Sequence, residues 1–392
     1  MTSKELTIKT SEKNNVKVVR TEKYWVHTNY GKLLDLSMGC SAFIFGFDNP
    51  YILERMHEFQ KKVSYLNAKK NESCDESNEL IEKLCSIGGY DGLGWAVSGS
   101  DGVECAIYMN DAYYKVLGKN KNKIISFSPG YHGATYLARA MRNEVSLDRF
   151  IVLNPPQYSN VLDQLEQETS LLIRIKDLLD NDNEIGALIF ESIPWITGFC
   201  PWTSVFWSNL RNLCDQYHIN LILDDVFGSV GKVGPYLSQD RFNIKADIVV
   251  IGKAFTGGFS PLSCCMTTKK IATVIENNHF YSHTWHPNMA GVGAALAVID
   301  LFDEKQVYTV EKRLISLGES LLKKGLIPNY VCQGLTFGAD YVKKPKDWDK
   351  FVNNGLSCIA DIADSLGLVA PINADDEYFE ELENRLCKVL EV

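Results

Sequence analysis

Asn220-Leu-Ile-Leu-Asp-Asp-Val226 and Asp247-Ile-Val-Val-Ile-Gly-Lys253 decide the fold. Each is a short, near-continuous apolar run that ends in a charged group. Such runs suit strands buried on both faces of a parallel sheet. A third run, Gly186-Ala-Leu-Ile-Phe190, ends in Glu191. Ligands in open α/β sheets bind beyond the carboxyl ends of the strands, so Glu191, Asp224 and Lys253 are expected to face one crevice. Ser204 to His218 reads as an amphipathic helix whose crossover delivers the strand ending at Asp224. The chain is therefore expected to be an α/β protein.

An acid and an amine placed this way suit pyridoxal phosphate. The lysine holds the aldehyde as a Schiff base, and the aspartate keeps the pyridine nitrogen protonated so that the ring accepts electrons. The same two residues equally suit a buried Asp–Lys ion pair with no cofactor, and taken alone they do not separate the two readings. Trp95-Ala-Val-Ser-Gly-Ser-Asp-Gly102 leads into a helical pattern over Val103, Ala106, Ile107, Asn110, Tyr114 and Leu117, closed by Gly118. Small residues at a helix start leave backbone N–H groups pointing outward as an anion site. Without a partner, Ser-Gly-Ser-Asp is simply a good N-cap.

The 392 residues are enough for two domains around a large shared core. A net charge of −9 argues against a nucleic-acid surface. The first residues lack an apolar signal core, and no run approaches about 18 apolar residues, so neither a signal peptide nor a membrane span is expected. The 11 cysteines are odd in number and lack CxxC spacing, which points to reduced thiols in a cytoplasm. His279, His283 and His286 fall in an aromatic-rich loop without metal-ligand spacing, and no metal site is expected.

Leu223-Asp-Asp-Val-Phe-Gly-Ser-Val-Gly-Lys-Val-Gly234 followed by Ala246-Asp-Ile-Val-Val-Ile-Gly-Lys-Ala-Phe-Thr-Gly-Gly-Phe259 resembles the signature of class III aminotransferases, fold-type-I pyridoxal-phosphate enzymes. The resemblance covers most of residues 20–300. It implies a large domain with a mostly parallel sheet flanked by helices, plus a smaller α/β domain from the N- and C-terminal segments. The divisions expected are 1–48 (substrate entrance, joined to the small domain), 49–295 (cofactor-binding) and 296–392. Carried over residue by residue, Lys253 forms the aldimine and Asp224 holds the pyridinium. Gly99 and Ser100 take the phosphate. Tyr131, in a segment close to the family's Tyr-His-Gly motif, stacks on one ring face, with Val226 on the other. His132 orients the loop or the ring, and Glu191 is kept. Thr284, in the loop Tyr281-Ser-His-Thr-Trp-His-Pro-Asn288, reaches the cofactor phosphate of the partner subunit, which makes the active site shared across a homodimer. The activity implied is ping-pong transfer of an amino group between an amine or amino-acid donor and a carbonyl acceptor.

Ser98-Gly-Ser100, Gly252–Gly258 and Leu262-Ser263 look most like diaminopelargonate aminotransferases; a glutamate-semialdehyde-type aminomutase and a catalytically silent cofactor-binding domain are the other readings. Three departures bear on the substrate. Cys40 and Ser41 replace an aromatic pair at the substrate lip, Pro194-Trp195 replaces Gln-Gly, and Leu366–Asn373 lacks the arginine that grips a substrate carboxylate. Met38 to Phe45 is expected to form a substrate wall, and Arg139 and Arg142 to lie on a solvated helix face. Beyond residue 305 the pattern predicts a helix over 309–324, a strand near 330–341, and helices near 347–365 and 375–391.

Overall fold

A computed structural model describes residues 16–67, 70, 72–154, 161–194, 198–276, 281–282, 284–342, 348–357 and 365–391. Trp195, His279 and His283 lie outside the described residues. The described strands are β1 (Val18–Glu22), β2 (Trp25–Thr28), β3 (Gly31–Asp35), β4 (Gly92–Ala96), β5 (Lys123–Phe127), β6 (Phe150–Leu153), β7 (Ile185–Glu191), β8 (Asn220–Asp224), β9 (Ile248–Ile251), β10 (Ser263–Thr267), β11 (Val331–Gln333), β12 (Thr336–Asp340), β13 (Leu356–Ser357) and β14 (Ser365–Val369).

The central sheet has the order β4-β10-β9-β8-β7-β5-β6. β6, β5, β7, β8 and β9 run parallel, and β10 lies antiparallel between β9 and β4. All residues of β7, β8 and β9 are buried, and successive side chains enter two separate cores. Leu221, Leu223, Val249 and Ile251 join one apolar cluster, whereas Ile222, Ile248 and Val250 join the other. This double cover explains why these runs are continuously apolar rather than alternating. Each fully buried Leu or Ile contributes about 1.5–3 kcal/mol of transfer free energy.

Helices cover both faces. They include Pro50–Lys62, Asp75–Gly88, Gly99–Val116, Ser204–Gln216 and Met289–Leu301, of which Gly99–Val116 and Ser204–Gln216 start and stop within a few residues of their sequence signals. Two smaller sheets flank the main one, β1-β2-β3-β13 and β11-β12-β14. The parallel pairing of β13 with β3, Leu356 opposite Leu34, ties the C-terminal segment to the N-terminal one.

The expected helix near 347–365 is corrected. Among the described residues it is only Trp348–Asn353, and Leu356–Ser357 is a strand. Asn353-Asn354-Gly355 ends the helix, with Gly355 at φ +77° where an α-helix cannot continue. The single strand expected near 330–341 is a hairpin that turns at Gly334, φ +53°.

Candidate active site

β7 and β8 pair in register with Glu191 opposite Asp224, so two carboxylates leave the sheet side by side. β9 ends two residues before Lys253, which starts a short 3-10 turn at φ +49°, the left-handed region. Glu191, Asp224 and Lys253 line one cavity of about 180 Å³. Gly99, Ser100, Tyr131 and Val226 line it too, together with His132, Gly133 and Phe227. Seven of the eight residues singled out from sequence are thus brought together. Thr284 is not: it is exposed and does not line this cavity.

The helix Gly99–Val116 points its N-terminus at this space. Ser98 caps it through Oγ, which accepts from Asp101 N at 3.2 Å. Gly102 N is bonded to Ser98 O, so Gly99 and Ser100 supply the outward N–H groups of the first turn. A Cβ on Gly99 would lie 2.6 Å from Val226 Cγ1, so only glycine lets the helix start approach the end of β8 this closely. Ser100 Oγ accepts from Ala134 N at 3.1 Å, which fastens the loop after β5 to the helix start. These N–H donors, with an acid and an amine facing them, are the donor set a phosphorylated pyridine aldehyde requires.

His132 is buried, and its Nδ1 donates to Asp224 Oδ2 at 2.7 Å. Burial opposes the imidazolium, but the hydrogen bond and charge of Asp224, with the charge of Glu191, override it and raise the His132 pKa. Sequence reading gave His132 only an orienting role; its contact with Asp224 joins positions 92 apart in the chain. Val226 N donates to the other oxygen, Oδ1, at 3.2 Å. Burial pulls the Lys253 amine below its ordinary range, against the charges of Asp224 and Glu191. Lys253 Nζ stands 5.0 Å from the centroid of the Phe227 ring, a neighbour the sequence reading missed.

Glu191 Oε1 accepts from Tyr131 N at 2.7 Å and so fixes the loop that carries Tyr131. Burial pushes its carboxyl up to about 7; the charge of His132 works against this and that of Asp224 reinforces it. A raised carboxyl pKa means that the folded chain keeps a proton which the unfolded chain releases. The stability this contributes is complete below 4.5, the ordinary value, and is lost as the pH climbs toward 7. Glu191→Gln cannot titrate. In the cofactor-free protein, the variant is expected to gain about 2–3 kcal/mol on wild type between pH 5 and pH 8. Urea unfolding at the two pH values measures this, and a constant difference would contradict it.

Other expectations divide. Cys40 and Ser41 line a second cavity that adjoins the first, but Met38, Ile44 and Phe45 are buried in the core and form no wall. Met38, Gly39, Cys40 and Ser41 all hold left-handed backbone, φ +45° to +65°. Arg142 does not lie on a solvated helix face. The helix is only Tyr136–Ala140, and the Arg142 guanidinium sits 4.9 Å from the Tyr131 ring centroid, held by Glu144 with Nε–Oε1 at 2.7 Å. Arg139 also pairs with Glu144 and is half exposed. Behind the site, sequence reading passed over Lys232. It is fully buried, and burial together with the charge of Lys253 holds its amine well below the usual lysine range.

The aminotransferase class-III family model matches residues 7–390 of the chain. Adenosylmethionine-8-amino-7-oxononanoate aminotransferase of Staphylococcus aureus is 28% identical over 351 residues, 81% of this chain and 76% of that protein. Gamma aminobutyrate transaminase 2 of Solanum lycopersicum is 24% identical, over 94% of this chain and 89% of that protein. Among solved structures, an amine transaminase from an uncultivated Pseudomonas species in its pyridoxal-phosphate-bound form superposes with a TM-score of 0.88. It has 19% identity and covers 100% of this chain and 98% of its own. The pyridoxamine-phosphate-bound aminotransferase of Vibrio fluvialis gives 0.86 at 20% identity, covering 96% and 92%. Both share this chain's fold.

Proposed function

The chain belongs to the class III aminotransferase family, and from that premise we propose which of its residues carry the reaction. The fold is fold type I, the cofactor is pyridoxal 5'-phosphate, and the activity is amino-group transfer between small molecules. The observation that carries the residue assignment is the meeting of Asp224 and Lys253 in one cavity, opposite the start of the helix Gly99–Val116.

When bound, pyridoxal phosphate supplies an aldehyde that joins the amino group and a ring that takes up its electrons. Lys253 Nζ is the group that would hold the aldehyde carbon. When free, Nζ, disposed toward its neutral form by burial, would take up and return the proton of the donor's amine-bearing carbon. Asp224 would hold the proton on the ring nitrogen, and the His132 N–H aims that carboxylate. Gly99 and Ser100 hold the phosphate by their backbone N–H groups. Tyr131 and Val226 cover the two ring faces and exclude water. Glu191 fixes the Tyr131 loop.

Thr284 of the partner subunit completes the phosphate site, so the working unit is a homodimer. Its exposure outside the cavity of its own chain supports this reading. Residues 1–48 and 296–392 form the small domain and 49–295 the large one, a division supported by the pairing of β3 with β13. A cytoplasmic location accords with the free thiols of the described cysteines. No described helix is long and apolar enough to cross a membrane.

The test is spectroscopic. Purified protein with pyridoxal phosphate is expected to show a visible band that an amine or amino-acid donor bleaches and a carbonyl acceptor restores. A band that no donor moves would remove the assignment, and sedimentation of the same sample as a monomer would remove the role of Thr284.

A further inference from the structure

The second cavity, of about 270 Å³, opens from the first and shares Tyr131, Phe227 and Lys253 with it. A substrate whose amine meets Lys253 places the rest of its body here. Leu36, Phe199, Leu368 and Val369 form the far wall. The Phe199 and Phe227 rings stack at 5.4 Å between centroids, which makes one apolar surface from the far wall to the lysine. Gly367 lets that surface form: a Cβ there would lie 2.1 Å from Phe199 Cε2. The polar side chains at the lip, Ser37, Cys40 and Ser41, carry no formal charge.

Among the described residues of the lining, Lys253 is the one cation, and it stands at the reacting end. β14 supplies Gly367, Leu368 and Val369 to the wall, so the stretch in which the sequence lacks an arginine is a stretch that faces the substrate. Arg142, behind Tyr131, is committed to Glu144. A carboxylate carried to the far wall would be desolvated with no cation to pair with among the described residues of that wall.

Resting on the aminotransferase reading, we propose that the donor is a primary amine with an apolar, carboxylate-free chain or ring, bound in this second cavity. Matched pairs that differ only in the distal carboxylate test it: n-hexylamine against 6-aminohexanoate, and benzylamine against 4-(aminomethyl)benzoate. With the cofactor-loaded enzyme, the amine of each pair is expected to bleach the visible band with a kcat/KM about 100-fold above its carboxylated partner. Calorimetric titration of the cofactor-loaded Lys253→Ala variant, which removes turnover, is expected to show at least about ten-fold tighter binding of n-hexylamine. Bleaching that is equal or faster with the carboxylated member overturns the proposal and leaves the aminotransferase reading standing. A band unmoved by every amine, and by alanine and glutamate as well, overturns both. Equal or tighter binding of 6-aminohexanoate, or no binding of either compound, also overturns the proposal.

Discussion

Lys253→Ala is expected to lower kcat/KM by about 10⁴-fold, the upper end of what a positioned acid–base group supplies. The protein should still take up the cofactor, because the helix start at Gly99 and Ser100 and the carboxylate of Asp224 are untouched by the change. Lys253→Arg separates the two qualities of the residue. A guanidinium keeps the positive charge near Asp224 and Glu191 but cannot lose its proton in the working pH range. If proton movement at Nζ is the lysine's task, arginine is as inactive as alanine. If charge alone matters, arginine recovers most of the rate. Single-turnover bleaching of the visible band reads both variants, and a Lys253→Ala enzyme within about ten-fold of wild type would end the assignment.

Asp224→Asn is expected to cost about 10²–10³-fold in kcat, the loss measured when one preorganised electrostatic partner is removed from a buried site. Asparagine keeps the shape: its oxygen can accept from Val226 N while its NH2 turns to His132 Nδ1, which as a neutral imidazole can accept, so the fold should hold. It loses the charge proposed to keep a proton on the ring nitrogen. His132 acts through Asp224, so His132→Ala should cost less, about ten-fold, comparable to losing one hydrogen bond to a charged group. The double variant should be no worse than Asp224→Asn alone, since the histidine then has no carboxylate to hold. Additive losses would mean that His132 acts on something other than Asp224. The matching control is cofactor affinity, which the first-turn N–H groups should largely preserve in all three.

The strands were legible because burial on both faces imposes a local signature, a run of three to six apolar residues closed at or just past its end by a charge. Asp224, Lys253 and Glu191 could be read as facing one crevice because that signature recurs three times and parallel strands share an end. The pairing of His132 with Asp224 was not legible. It joins positions 92 apart, and neither residue's neighbours encode the other. Arg142 was misread for a related reason. Its spacing from Arg139 suits an exposed helix face, but the helix stops at Ala140 and the chain then carries Arg142 back beneath Tyr131. Lys232 shows the limit of composition: a lysine in a glycine-bounded loop suggests solvent, yet tertiary packing encloses it completely. The C-terminal segment failed locally. The pattern across 347–365 suits a helix, and the strand at Leu356–Ser357 depends on a partner, β3, more than three hundred residues earlier.

The four consecutive left-handed residues 38–41, of which Cys40 and Ser41 reach the cavity lip, restrict how this enzyme can change its diet. Right-handed or extended backbone accepts almost any side chain, whereas this conformation penalises branching at Cβ. Valine, isoleucine and threonine are therefore disfavoured at positions 38, 40 and 41, and drift there should run among glycine, asparagine and unbranched residues. New preferences should arise instead from β14 across the cavity, where ordinary strand geometry leaves Leu368 and Val369 open to exchange.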